Sequence, residues 1–114
     1  MHELGIIVHV AKTLKHVALQ ENVSKIGSVT LEIGEVSGIV ESYLTDYWEY
    51  YRKKDELIED SKLIIEKIEA VTYCDDCEKT YPTVQYGRQC PYCKGYNTWL
   101  AVGNECNIKE IEAC

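Results

Sequence analysis

The sequence of 114 residues has no phenylalanine, only two prolines and one methionine, and no apolar run approaching 18 residues. The short apolar runs exclude a membrane-spanning helix. The N-terminus lacks the charged region and long apolar stretch of a secretory signal, so we expect a cytoplasmic protein. Basic residues are also few, 12 against 19 acidic ones, which gives a net charge of −7. This balance argues against nucleic-acid binding, which needs a basic surface.

Cysteine and histidine are present but unevenly distributed. All three histidines lie in residues 1–72, and all six cysteines lie in residues 73–114. The chain length suits one small domain with a stapled subdomain. In the absence of a secretory signal, cysteines at this density indicate metal ligands or buried thiols rather than a disulfide framework.

The hydrophobic pattern predicts a chain of alternating helices and strands. The predicted helices are residues 4–22 and 42–54, and the predicted strands are residues 28–33, 62–72 and 99–111, the last interrupted near Gly103. The apolar stripe of the first helix comprises Leu4, Ile7, Val8, Ala11, Leu14 and Ala18.

These elements predict an α+β fold, with two helices on a small three-stranded sheet. We expect a four-cysteine subdomain, similar to a zinc ribbon, to be inserted into this fold. Residues 1–72 and 99–114 would then form one domain, and residues 73–98 the metal-binding insert.

Two C-x2-C pairs lie 12 residues apart, Cys74 with Cys77 and Cys90 with Cys93. Each pair can direct two thiolates to one side of a tight loop, and two such loops supply four sulfurs in a tetrahedron. This arrangement favours a structural Zn²⁺ site, since four cysteine thiolates leave no open position for a reacting water.

Three other uses of the same cysteines are considered. The pairs can act as redox dithiols or disulfides, although neither starts a helix after a strand as a thioredoxin motif does. Iron accepts the same four sulfurs, as in a rubredoxin-like electron carrier. A zinc ribbon can also be an adaptor that binds another protein or a nucleic acid, although charges of both signs in the insert give no basic stripe.

The N-terminus offers a second set of metal donors. The Met1 amine, the backbone nitrogen of His2 and its imidazole can form fused chelate rings, a geometry that suits Ni(II) or Cu(II). Glu3 can add a carboxylate or orient the imidazole. The alternative is that His2 and Glu3 are ordinary exposed terminal residues. His9 and His16, seven positions apart, are too distant for one mononuclear site and are expected to be solvated.

No nucleophile-and-base arrangement and no phosphate-binding loop can be recognised, so we expect a protein that is not an enzyme. Cys106, in a predicted strand, is interpreted as a small buried side chain. Cys114 is expected to be exposed.

Taken together, several motifs give the chain its resemblance to the HypA family, the nickel metallochaperones of [NiFe]-hydrogenase maturation. The motifs are Met1-His2-Glu3, Gly34-Glu35-x-Ser37, the two C-x2-C pairs and Gly103-Asn104-Glu105, in that order over nearly the whole chain. The resemblance implies that His2 is the essential nickel ligand, with Met1 and Glu3 contributing. It also implies structural zinc at the four paired cysteines, a HypB-type GTPase as partner, and delivery of nickel to the hydrogenase large-subunit precursor.

The chain departs from the family pattern in two places. Some relatives have a carboxylate near the nickel site where this chain has Val40, and the neighbouring Glu41 is a candidate substitute. Some relatives also have histidines flanking the zinc cysteines, proposed to respond to pH or nickel, and this chain has none.

Overall fold

The computed structural model describes residues 3–114, so the predictions for Met1 and His2 fall outside the described part of the chain. The elements, in chain order, are α1 (Glu3–Glu21), β1 (Ile26–Gly34), α2 (Glu41–Arg52), β2 (Lys62–Ile68), β3 (Val71–Cys74), β4 (Lys79–Pro82), α3 (Thr83–Tyr86), β5 (Thr98–Val102) and β6 (Cys106–Ala113). This mixture confirms the predicted α+β class, and the four-residue helix α3 is an addition to the prediction.

Helix α1 ends where the sequence predicts. Asn22 has φ 54°, the left-handed conformation that closes many helices, and the Val23 N–H donates to the Ala18 carbonyl at 2.9 Å. The buried face is wider than the predicted stripe, because it also includes Ile6 and Val10. The predicted stripe was wrong at Leu4, which is 39% exposed.

The predicted three-stranded sheet is present, with the strand order β2-β1-β6. On α2, Leu44 and Trp48 are buried, and the Trp48 indole N–H donates to the Ser61 carbonyl at 3.2 Å. The Ile26 N–H donates to the Leu57 carbonyl at 2.9 Å, which ties the start of β1 to the loop after α2.

A second three-stranded sheet, in the order β4-β3-β5, was not predicted. The prediction of one strand over residues 62–72 was wrong, because β2 ends at Ile68 and β3 begins at Val71 in the other sheet. Residues 98–102 likewise pair with β3, with Tyr73 opposite Trp99 and Cys74 opposite Thr98. Strand periodicity identifies a strand but not its partner, which is why these two assignments failed.

The chain divides into two compact units. The first comprises the described residues up to Leu31, together with Gly38–Glu66 and Asn107–Cys114. The second comprises Glu32–Ser37 and Lys67–Cys106, and therefore includes β3 and β5 as well as both cysteine pairs. Among residues 3–114, no helix is long and apolar enough to cross a membrane.

Candidate metal centre

The first cysteine pair forms the turn of the β3–β4 hairpin. Cys74 is opposite Lys79 at the end of the antiparallel ladder, so the strands hold both ends of the loop. The Glu78 N–H donates to the Cys74 carbonyl at 2.8 Å, and Glu78 has φ 57°. This left-handed residue turns the chain back immediately after Cys77.

The second pair repeats this geometry in the loop before β5. The Lys94 N–H donates to the Cys90 carbonyl at 2.9 Å, and Lys94 has φ 65°. The Gly95 carbonyl accepts from the Cys90 N–H at 3.0 Å, which closes the loop from the other side. Two loops of the same shape thus present two sulfurs each.

The four sulfurs converge on one point. The Sγ atoms of Cys74 and Cys93 are 3.6 Å apart, and those of Cys77 and Cys90 are 3.5 Å apart. All four ligand atoms lie within 4.8 Å of one another. Zn–S bonds of about 2.3 Å give a tetrahedron with edges of about 3.8 Å, so the donor set fits zinc. These distances are far longer than a disulfide bond of about 2.05 Å, and all four thiols are free.

Burial and hydrogen bonds shift the pKa values of Cys77 and Cys90 in opposite directions. Burial, together with hydrogen bonds to Cys90 and Cys74, raises the pKa of Cys77 to about 12. Burial also acts to raise the pKa of Cys90, but the backbone N–H groups of Cys93 and Tyr92 stabilise its thiolate and lower the pKa to about 7. Because metal ligation requires thiolates, an ion that binds this cluster must displace the protons that the thiols carry.

The surroundings of the cluster contribute only a small core. Cys74, Tyr81 and Cys90 are buried together, with Cys77 packed against them. The Tyr81 hydroxyl donates to the Gly87 carbonyl at 2.9 Å, which fixes the chain between α3 and the second cysteine loop. A metal ion bound by the four cysteines would add to this small core by linking the two loops.

Acidic side chains in the first loop bind Trp99 in β5 and Asn97 just before this strand. The Asp75 carboxylate accepts from the Trp99 indole N–H at 3.2 Å, and the Asp76 carboxylate accepts from the Asn97 amide at 3.2 Å. The Trp99 ring also packs on Tyr73, with centroids 5.4 Å apart. Sequence reasoning missed these contacts, because nothing local to the C-x2-C motif indicates them.

Of the three predicted nickel residues, only Glu3 lies within the described part of the chain. Its carboxylate oxygen Oε2 accepts from the Val40 N–H at 3.0 Å, across 37 positions of sequence. Val40 immediately precedes α2, and Glu41 lies in the first turn of that helix. Glu3 is therefore at the start of α2, beside Val40 and next to the candidate substitute Glu41.

The remaining histidines and cysteines lie outside the four-cysteine cluster. His9 and His16 are exposed on α1, as predicted. Cys114 is exposed, whereas Cys106 is partly buried and burial raises the pKa of its thiol. Neither cysteine belongs to a metal-ligand group among the described residues.

The two glycine-containing motifs that carried the resemblance meet in the second unit. The Gly34 N–H donates to the Glu105 carbonyl at 2.8 Å. The Glu35 carboxylate accepts from the Ala70 N–H at 3.0 Å, and the Glu105 carboxylate accepts from the Gly103 N–H at 2.7 Å. These hydrogen bonds give the motifs a structural role in the second unit, and neither motif belongs to a metal-ligand group among the described residues.

Fold and site together define a small α+β protein with a cluster of four cysteines that fits a metal ion. The sequence profile of one family, described as hydrogenase/urease nickel incorporation, metallochaperone, hypA, matches residues 1–113. The chain belongs to the HypA family, the nickel metallochaperones of hydrogenase maturation.

Individual relatives match over almost their whole length. Hydrogenase maturation factor HypA of Dehalococcoides mccartyi is 33% identical over 98% of this chain and 93% of its own. The factor of the same name from Geobacter metallireducens is 33% identical over 98% of both chains.

Two solved structures share the fold. The solution structure of the Ni metallochaperone HypA from Helicobacter pylori has a TM-score of 0.74 at 24% identity and covers 99% of this chain and 97% of its own. A solution structure of a HypA protein has a TM-score of 0.77 at 25% identity, covering 100% and 97%.

Proposed function

We propose that this protein binds Ni(II) at its N-terminus and delivers it to the precursor of a [NiFe]-hydrogenase large subunit, with a HypB-type GTPase as partner. The observation that carries the proposal is the family match over residues 1–113, which includes the Met1-His2-Glu3 segment. In this role the protein is a metal carrier and not an enzyme. Its thiolate ligands need a reducing compartment, so the proposal includes the cytoplasm.

Met1, His2 and Glu3 form the nickel site in this proposal. The α-amine of Met1, the backbone nitrogen of His2 and the His2 imidazole supply nearly coplanar nitrogen donors, as Ni(II) prefers. Glu3 is the third residue of this proposed nickel-binding segment.

Cys74, Cys77, Cys90 and Cys93 hold a structural Zn²⁺ in the same proposal. The convergence of four sulfurs within 4.8 Å supports it. Four thiolates complete the tetrahedral shell, so this ion stabilises the second unit and takes no part in nickel exchange.

Removing His2 tests the nickel site. Ni(II) is titrated by calorimetry into the zinc-loaded chain that begins at Met1, into His2→Ala, and into a form extended by one residue before Met1. We expect both altered forms to lose at least tenfold in nickel affinity, because one loses the imidazole and the other loses the amine at Met1. Exposed His9 is a matched control, and His9→Ala should leave the affinity unchanged.

Two results would contradict the proposal. Equal nickel affinity in all forms would remove the N-terminal site. Elemental analysis that finds one metal per chain after nickel exposure would instead favour the zinc-ribbon adaptor.

Nickel affinity should also depend on pH. The amine and imidazole have ordinary pKa values of about 7.7–8.0 and about 6.5, and both must be deprotonated to bind. Protons therefore compete with nickel, and the affinity should fall as the pH is lowered from about 8 to about 6. A flat profile in the same titration would argue against nitrogen ligation.

A further inference from the structure

An open groove lies along strand β5 of the second unit. Its volume is about 410 Å³, within the range of about 300–1,000 Å³ that is usual for ligand sites. Thr98, Trp99 and Leu100 of β5 line it, together with Thr72 and Thr83. Since consecutive side chains of a strand point to opposite faces, a groove lined by three consecutive residues reaches the outer edge of that strand.

Hydrogen bonds fix the residues that line this groove. The Thr98 hydroxyl donates to the Arg88 carbonyl at 2.6 Å, and the hydroxyl oxygens of Thr72 and Thr83 are 2.6 Å apart. The Gly87 N–H donates to the Thr83 carbonyl at 2.7 Å. The groove is therefore formed before a ligand binds, which lowers the entropic cost of binding.

The outer edge of β5 has no partner strand. Among residues 3–114, the sheet order β4-β3-β5 gives β5 only β3 as a neighbour. Such an edge presents backbone N–H and C=O groups that can pair with an added strand. The strand has the sequence TWLAV, with no charge or proline to discourage pairing, and both Trp99 and Leu100 are exposed.

Arg88 is the only charged side chain among the described residues that line the groove. Within residues 3–114 its guanidinium makes no ion pair, although the chain has a net charge of −7. A guanidinium can bind a carboxylate through two parallel hydrogen bonds. Tyr96, which is 71% exposed, and Trp99 add aromatic surface to the same groove. Tyr, Trp and Arg are the residues that most often dominate the binding energy of protein interfaces.

A second copy of this chain is a poor match for this edge. Pairing of β5 with β5 would bring two Arg88 side chains to one interface. Thr98–Val102 contains no acidic residue that could neutralise them. The charge of the groove therefore favours a different protein with carboxylates of its own.

We propose that the edge of β5 and its groove bind an extended segment of another protein that carries acidic and apolar side chains. The backbone of the segment adds a strand to β5, one carboxylate pairs with Arg88, and apolar side chains contact Tyr96 and Trp99. This surface is independent of the proposed nickel site, so its test can fail without affecting the nickel function.

Selection of short random peptides displayed on phage, with the zinc-loaded protein as bait, supplies the probe. We expect the selected peptides to be enriched in Asp or Glu together with apolar residues. Fluorescence anisotropy of one synthetic selected peptide then measures its affinity for variants of the protein. Arg88→Gln should weaken binding about tenfold, because the carboxylate loses its cation. Lys67→Gln is the matched control and should change nothing, since it removes the same charge from an exposed position of the second unit outside the groove.

Two further measurements test the aromatic surface and the strand addition. Tyr96→Ala should weaken binding about fivefold or more, whereas Tyr43→Ala, at an exposed position on α2, should have no effect. Amide hydrogen exchange within Thr98–Val102 should slow about tenfold when the selected peptide is saturating, because its backbone covers the open edge. Exchange in α1 should stay the same.

Three outcomes would overturn the inference. A selection that yields no peptide, or peptides without acidic residues, would mean that the groove does not recognise this chemistry. Equal affinities for Arg88→Gln and Lys67→Gln, or unchanged exchange in β5, would place the peptide elsewhere on the protein. If sedimentation shows that the protein without peptide forms a dimer with slowed exchange in β5, the occupant of the edge is a second copy.

Discussion

At the scale of single residues, the second unit contains two glycines at which neighbouring backbone atoms leave no room for a Cβ. A Cβ on Gly34 would lie 2.0 Å from the Gly103 carbonyl oxygen. Gly103 has φ 121°, and a Cβ there would lie 2.4 Å from the Ala70 Cα. These contacts are to backbone atoms, which cannot move aside as a flexible side chain can.

The variant Gly34→Ala should therefore be severely destabilised. We expect a loss of about 3 kcal/mol or more in the free energy of unfolding, because the backbone must shift to admit one methyl group. Urea unfolding followed by circular dichroism measures this loss. Gly87→Ala is the control for backbone strain, since Gly87 has φ 67° and ψ −135° with open space around it, and it should cost about 1–3 kcal/mol from backbone strain alone. Equal losses in the two variants would show that close approach at Gly34 is not limiting.

Single residues also show where sequence reasoning ends. The end of α1 at Asn22 was predictable, because the stop signal and its left-handed conformation are local. The partner of Glu3 was not, because its hydrogen bond to Val40 spans 37 positions. A sequence pattern indicates which interactions a residue can make. Only the fold shows which distant group the residue contacts.

At the scale of elements, the cysteine loops are constrained by their left-handed residues. Glu78 and Lys94 each follow the second cysteine of a pair, with φ 57° and φ 65°. Non-glycine residues tolerate this region at a cost, asparagine tolerates it well, and β-branched residues almost never adopt it.

The variant Lys94→Val should weaken metal retention, and Lys94→Asn should not. Both variants remove the same charge, so the comparison isolates the backbone conformation. We expect valine to strain the second loop by about 1–2 kcal/mol and to speed zinc loss to a chelator about tenfold relative to asparagine. A colorimetric zinc-release assay gives both rates. Identical rates would mean that the loop relaxes around valine without cost.

Strand assignment was the weakest part of the sequence prediction. The apolar run over residues 62–72 looks continuous, but the chain leaves one sheet at Ile68 and joins the other at Val71. Ala70 belongs to the two-residue connection between these strands and is fully buried. The cysteine cluster was predictable because its spacing is a local rule of coordination chemistry, whereas the second sheet depends on pairing between distant segments.

At the scale of the whole molecule, each compact unit contains one tryptophan. Trp48 belongs to the first unit and is 1% exposed. Trp99 belongs to the second unit, is 51% exposed, and is held by Asp75 and Tyr73 beside the cysteine cluster. The two side chains therefore report separately on the two units.

Removal of zinc should disorder the second unit and leave the first folded, because the core of α1, α2 and β1 does not include the cysteines. In Trp48→Phe, the remaining Trp99 fluorescence should change when a chelator is added, as its contacts with Asp75 and Tyr73 are lost. In Trp99→Phe, the emission of buried Trp48 should stay as it was. Cys74→Ala, made in both backgrounds, should reproduce the chelated spectra without chelator. A simultaneous change of both signals would show that the ion organises the whole chain, and the units would then unfold as one cooperative structure.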